Sequence, residues 1–399
     1  MRTAAENPPR NHRWPLLTAV PLTAVLAACG AGEVGTEPAG VPEQSEEHLE
    51  YDQMSHDELH SAAEEEGEVV VYSFTSRIAA VAEEFRAEYP EIEIVEHDIS
   101  SSEQIERLAS EHAAGAETAD VAYVSDAPVV WTELIEEGVL FPYVPERMEE
   151  ALDEEHLEPL ITNRLSTKVL MYNQEAHPDG APVENLWELT EDAWNGRVVM
   201  VDPTGRGDYL DMLTEMVLRA DAMETAYEEW AGEPIQLDEG VENAGYQFIA
   251  DLYDNDVILV SSTDDVNEAV GSTGQQSPPV GFTTYSDRRD NEDEGWALQV
   301  ANDVAPAPGI VFPAMLGLTA EPENPAAARL LIDFMMGDDS SDGGPAYEPF
   351  YVPGDYPTRN DLETPEAALP LEEFNAWLID PEESSDRRSE VNDFILTVE

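Results

Sequence analysis

The chain has 399 residues, with 18 Lys and Arg against 87 Asp and Glu, a formal charge of −69. That balance excludes the basic patches needed to neutralise nucleic-acid phosphates, and a single cysteine excludes a disulfide scaffold. A hydrophobic fraction of 42% with seven Trp excludes a wholly disordered chain, and the length allows two to three domains at roughly 100–200 residues each. Lys168 is the only lysine; every other basic residue is arginine. Acidic residues run through the whole chain rather than one tail. That pattern fits work in concentrated salt, where the Debye length falls to about 3 Å at 1 M and self-repulsion is screened. A halophilic or halotolerant source is expected.

Arg2, Arg10 and Arg13 precede an apolar stretch from Trp14 to Ala28, too short for a spanning helix of about 20 residues. It ends Leu26-Ala27-Ala28-Cys29-Gly30 and resembles the lipobox of bacterial lipoproteins, in which the cysteine is acylated and becomes the first mature residue. The chain's one cysteine stands at the one position that pattern requires. Residues 1–28 are expected to be a lipoprotein signal peptide and 29–55 a flexible acidic tether, rich in Gly, Pro and Glu at its start.

From Glu68 onward, strand and helix patterns alternate. Strands are expected at Val69–Tyr72, Ile92–Val95 and Asp120–Val124. Each is followed by a polar turn and a helical stripe: Ile78, Val81, Ala82 and Phe85 up to Pro90; Ile105 and Leu108 up to Gly115; and a helix opened by Pro128 that ends at Gly138. A second block carries strands at Thr167–Tyr172, Arg197–Val201, Val257–Val260 and Pro279–Phe282, with a long helix from Tyr209. A last strand, Gly309–Phe312, and a helix from Pro325 to Met336 follow. Beyond Asp338 the chain reads as loop, with one helix near Glu372–Leu378. This order predicts an α/β fold with mostly parallel sheets.

Some patterns carry no chemistry. His56 and His60 stand at helical spacing, but Asp57 occupies the position where a zinc peptidase needs Glu, so the pair reads as a solvated helix face. There is no phosphate-binding glycine loop, dinucleotide fingerprint or nucleophile elbow.

The informative feature is the set of turns at the strand ends: Ser73-Phe74-Thr75-Ser76-Arg77, Ser125-Asp126, Asp202-Pro203-Thr204, Ser261-Ser262-Thr263 and Thr283-Thr284-Tyr285. In an open parallel sheet, ligands bind beyond the carboxyl ends of the strands. Helix N-termini there offer free N–H groups and partial positive charge to an anion. Hydroxyl residues are also good N-caps, which alone would explain any single turn. Arg77 stands out as a cation just inside the first helix of a very acidic chain.

The stretches Glu66–Ser73, Ala119–Asp126, Arg164–Asn173, Trp187 with Trp194–Arg197, and Arg329–Met335, in this order and spacing, resemble the solute-binding lipoproteins of ABC importers. The resemblance covers about residues 65–360. It is closest to the bilobal group that includes ferric-iron, thiamine, polyamine, phosphonate and sugar-phosphate receptors, here from a halophilic bacterium. It implies a two-lobed type II periplasmic-binding-protein fold. The lobes would be 56–167 with 306–399 for the first, including a C-terminal extension, and 168–305 for the second, joined near Ser166–Tyr172 and Ala301–Phe312.

The implied function is non-enzymatic: binding a small anionic solute (phosphorylated, phosphonate or carboxylate) between the lobes and delivering it to a permease and ATPase. Ser73, Thr75, Ser76, Arg77, Ser125 and Asp126 would bind from the first lobe, and Thr204, Tyr209, Thr263 and Tyr285 from the second. The expected protein is a monomer anchored through Cys29 to the outer face of the cytoplasmic membrane, with no cofactor and no resident metal. The alternative is ferric ion as cargo on Tyr285, Tyr209 and Asp208. The family's ferric receptors carry paired tyrosines and often a first-turn His, and this chain has one tyrosine and no such His. A secreted hydrolase on a similar scaffold is the remote alternative.

Overall fold

The computed structural model describes residues 44 and 46–398, apart from 366. The expected signal peptide, Cys29 and most of the tether lie outside the described residues. The strands are β1 (Glu68–Ser73), β2 (Glu93–Asp98), β3 (Val121–Val124), β4 (Leu140–Phe141), β5 (Ile161–Asn173), β6 (Val198–Val201), β7 (Ile258–Val260), β8 (Val280–Thr283), β9 (Leu298–Val300), β10 (Gly309–Thr319), β11 (Tyr356–Pro357) and β12 (Trp377–Leu378). The longer helices are α1 (His56–Glu66), α2 (Ile78–Glu88), α3 (Ser101–Ala114), α4 (Gly207–Leu218), α5 (Ala220–Ala231), α6 (Ala244–Asp254), α7 (Thr263–Gly271), α8 (Pro325–Met335) and α9 (Pro381–Val398).

The strand order β2-β1-β3-β10-β5-β8-β6-β7 places the first lobe at one end and the second at the other. Within the first lobe β2, β1 and β3 are parallel; within the second, β8, β6 and β7 are parallel. The long antiparallel pair β5 and β10 runs from one lobe into the other, with Gly309 opposite Val169 and Leu316 opposite Ile161. This is the two-lobed α/β architecture that the sequence led us to expect. Gly309 has φ +153° and sits so close to the Lys168 carbonyl that no Cβ fits there.

The parallel strands form because short runs such as Val69-Val70-Val71-Tyr72 and Val198-Val199-Met200-Val201 are buried on both faces. Helices cover those faces with the stripes the periodicity predicts: Ile78, Val81, Ala82 and Phe85 of α2 are all fully buried. Each Leu, Val or Phe so buried contributes roughly 1.5–3 kcal/mol. Among the described residues no helix is long and apolar enough to cross a membrane.

Three expectations change. Residues 46–53, assigned to the tether, are folded: Glu46–Leu49 is helical, and the buried Arg329 donates to the Asp52 carboxylate at 2.6 Å and to the His48 carbonyl at 3.0 Å. The helix expected near Glu372–Leu378 is absent; that stretch is a 3-10 turn (Leu371–Glu373) followed by β12, which pairs with β10. The helix instead is α9, eighteen residues opened by Pro381 at its first turn. Nor does the C-terminal region belong to the first lobe alone, since α9 packs on α4 and α6 as well as on the turns after β3.

Candidate functional site

A cavity of about 250 Å³ opens where the two lobes face each other. Its floor is the crossing pair. Alternation along β5 sends Arg164, Ser166 and Lys168 to the cavity side, joined by Phe312 of β10, while Leu165 and Thr167 point away. The first lobe adds Phe74, Thr75, Ser76 and Arg77 from the turn before α2, and Asp98 from the end of β2. The second lobe adds Arg206 and Asp208 at the start of α4, Ser262, Thr263 and Asp264 at the start of α7, and Thr284, Asp287 and Arg289 around the 3-10 turn Tyr285–Asp290. Five of the chain's 18 basic residues therefore line one small cavity.

These cations are held in place by buried carboxylates. Lys168, with its side chain 1% exposed, sits 3.0 Å from Asp208, donates to Thr284 Oγ1 at 3.0 Å and lies 4.4 Å from the centre of the Tyr209 ring. Arg206 reaches the same Asp208 oxygen at 3.4 Å. Burial alone would raise the Asp208 carboxyl, but Lys168 and Arg206 hold it well below the usual carboxylate range. Burial pulls the Lys168 ammonium down, against the opposing pull of Asp208.

A second carboxylate, Asp355, does the same for the first lobe. It accepts from Arg164 Nη1 at 2.7 Å and from Arg77 Nη1, and although burial works to raise it, Arg164 and Arg77 keep it low. Arg77 also donates to Ser286 Oγ of the second lobe at 2.8 Å, so the two lobes touch through it. The Nε of Arg164 is buried with no partner among the described residues. A buried donor left without a partner costs roughly 1–3 kcal/mol, a penalty that an incoming acceptor removes.

Of the residues named from sequence, Thr75, Ser76, Arg77, Thr263 and, from the ferric alternative, Asp208 line the cavity. The others do different work. Ser73 Oγ accepts from the Thr75 amide at 3.2 Å and donates to its carbonyl at 2.9 Å, shaping the turn. Ser125 is buried 3.1 Å from Ser101 Oγ, and Asp126 accepts both arms of the Arg388 guanidinium. Thr204 is exposed and donates to Asp202 at 2.6 Å. Tyr209 is buried beneath Lys168 and donates its hydroxyl to the Phe282 carbonyl at 3.0 Å. Tyr285 stacks on Phe374, ring centres 5.7 Å apart, and is not part of the cavity lining.

The donors considered for a ferric ion thus do not converge. The Tyr209 hydroxyl is committed to main chain, Asp208 to two cations, and Tyr285 lies outside the lining. Among the described residues no group of three or more His, Cys, Asp and Glu side chains is arranged to hold a metal. His56 of the decoy pair lies 3.0 Å from Asp333, and His60 lies 3.5 Å from Glu64.

Sequence reasoning missed Arg164, Ser166, Lys168, Arg206 and Arg289. The first three lie in the run Thr162–Lys168, where Leu165 is the one apolar residue, so no alternation of polar and apolar residues marks them. Arg206 and Arg289 follow turn residues and carry no periodic signal.

The family model for bacterial extracellular solute-binding proteins matches residues 70–342. The chain belongs to that family. As a member it is a solute-binding receptor of the ABC-import type acting outside the cytoplasm, and the proteins it resembles are binding proteins. Iron-bound HitA from Pseudomonas aeruginosa is similar over 83% of this chain and 99% of its own, with 18% identity and a TM-score of 0.63. AfuA from Actinobacillus pleuropneumoniae, with fructose-6-phosphate bound, is similar over 82% and 97%, with 16% identity and a TM-score of 0.60. The ferric binding protein from Campylobacter jejuni is similar over 83% and 99%, with 13% identity and a TM-score of 0.59. At these identities the likeness concerns the fold. No curated protein matches this chain.

Proposed function

We propose that this solute-binding protein captures a small solute bearing an oxyanion (a phosphate ester, phosphonate or carboxylate) in the interlobe cavity and delivers it to a membrane permease driven by an ATPase. One observation carries the reading: on a molecule of charge −69, five cations are gathered around about 250 Å³, and the buried Nε of one of them, Arg164, has no hydrogen-bond partner among the described residues. Hydrogen bonds from such cations are charge-assisted, shorter and about twice as strong as neutral ones. Thr75, Ser76 and Thr263 add neutral donors, and the site needs no nucleophile or base because nothing is transformed.

The body works outside the cytoplasm, tethered through Cys29. Ferric ion is the second reading, favoured by the likeness to iron-bound HitA in fold and weakened by the scattered tyrosines. A thermal-shift panel of phosphate esters, phosphonates, dicarboxylates and ferric citrate tests the two. The anion reading expects a dose-dependent rise in melting temperature with one of the first three. A rise with ferric citrate and not with citrate alone would replace it with the ferric reading.

A further inference from the structure

Helix α9 lies across the junction of the two lobes, and one residue on it reaches both. Arg388 is 9% exposed. Its two terminal nitrogens donate to the two carboxylate oxygens of Asp126, at 2.5 Å and 2.9 Å. Asp126 follows β3 and belongs to the first lobe. The Nε of the same guanidinium lies 3.3 Å from Asp211 of α4, in the second lobe. The lobes are in direct contact at this point: a Cβ on Gly207, the first residue of α4, would collide with the Asp126 carboxylate and the Arg388 guanidinium.

The start of α9 and the segment before it are also bonded to the second lobe, while the helix packs on the residues after β3 as well. Ser384 Oγ donates to Glu215 at 2.8 Å, as does the Asp380 amide at 3.2 Å. Beside that packing, the fork onto Asp126 is a buried, charged bond between the C-terminal helix and the first lobe.

The same helix α4 carries Asp208 and Asp211, three positions apart and so on neighbouring faces of one turn. Asp208 organises the cavity cations Lys168 and Arg206, while Asp211 meets Arg388. Any rotation of the second lobe away from the first moves α4 relative to Asp126, and Arg388 must then release one of its carboxylates. The two-pronged bond onto Asp126 resists this, because the guanidinium's donors are fixed in one geometry, and the nearby Asp211 carboxylate adds only an ion-pair contact.

We propose that Arg388 is a positioning residue: it clamps α4 against the first lobe and biases the empty receptor towards the closed arrangement of the cavity. The clamp acts on the lobe equilibrium and not on the solute, so it stands whichever solute is bound.

The test uses electron–electron distance measurements on the full chain without solute, in molar salt. Spin labels go on Glu83→Cys of α2 and Glu229→Cys of α5, both exposed, with Cys29→Ser removing the native thiol. Arg388→Met should add a longer-distance population at the expense of the short one, and Arg388→Lys, which keeps charge but loses the fork, should do so less. Since Arg388→Met leaves two buried carboxylates uncompensated and could fail to fold, the combined Asp126→Asn, Asp211→Asn, Arg388→Met variant provides the decisive reading. A longer distance in that folded variant supports the clamp. A wild-type distance distribution in it, even with a lowered melting temperature, overturns the clamp and leaves Arg388 a purely structural residue.

Discussion

Replacing Lys168 by methionine removes the charge from the centre of the cavity floor while keeping the length of the side chain. Lys168 Nζ is 3.0 Å from Asp208, and the side chains are 1% and 12% exposed. At that separation the bare attraction is about 5 kcal/mol for an effective dielectric of about 20. Breaking a buried pair by deleting one partner costs about 3–5 kcal/mol, because the other charge stays buried. Here Arg206 remains 3.4 Å from the same carboxylate oxygen, so the lower end, about 3 kcal/mol, is the expected loss. At roughly 2 °C per kcal/mol for a protein of this size, the melting temperature should fall by about 6 °C. The double variant Lys168→Met, Asp208→Asn leaves no unpaired carboxylate and should regain more than half of that. The assay is reversible denaturant unfolding of the four members of the cycle in molar salt. If the double variant is as unstable as the sum of the two single ones, Lys168 and Asp208 are not coupled and the account of the cavity floor is wrong.

Three further outcomes follow from charge and the N-terminus. Melting temperature should climb steadily from dilute buffer to molar salt, as screening removes the repulsion of a −69 molecule; a flat salt profile refutes the halophilic reading. In dilute buffer, stability should peak on the acid side of neutrality. Burial raises the Asp120, Asp126, Asp211 and Glu215 carboxyls, so their contribution is present at low pH and lost as pH rises through their raised values. Asp208 and Asp355 are held low, so theirs is present above the ordinary carboxylate range and lost as pH falls through their depressed values. Melting temperature should therefore rise as pH falls from neutrality towards the ordinary carboxylate range and fall again below it; a monotonic rise towards alkaline pH contradicts the assignment. Finally, Cys29→Ser should shift the protein from the detergent phase to the aqueous phase in partitioning of expressing cells, and unchanged partitioning removes the lipid anchor from the account.

The strand–helix alternation was legible because parallel strands are short apolar runs and their covering helices keep a regular stripe. The first-lobe turn was legible too: Thr75, Ser76 and Arg77 sit at a strand end, where an open sheet presents its ligands. β5 was harder. Its first half, Ile161 to Ser166, is buried yet contains Thr162, Asn163, Arg164 and Ser166, so hydrophobicity finds only the apolar second half. Its polar residues pair with partners far along the chain, as Arg164 Nη1 does with Asp355.

Asp126 reads locally as a cap or a ligand; that Arg388 occupies it, 262 positions away, has no local signature. Helix α9 lacks a strong apolar stripe, with Val391 and Ile395 its only fully buried apolar side chains, and so was not expected. Tyr285 looked like a ligand by its place after β8, yet Phe374 from the C-terminal region covers its ring.

The most direct test of the anion site is isothermal calorimetry with the best solute from the thermal-shift panel, on the native protein and on Arg206→Ala. Arg206 lines the cavity, is 31% exposed, and among the described residues has Asp208 as its salt-bridge partner, so its loss disturbs the fold less than loss of Arg77 or Arg164. A charge-assisted hydrogen bond is worth about 1.5–3 kcal/mol, so Arg206→Ala should weaken binding roughly 10- to 150-fold at 1.4 kcal/mol per decade, with one solute bound per chain and little change in melting temperature. Equal affinity in the two proteins, or equal affinity for the solute and an uncharged analogue of the same shape, would contradict the account.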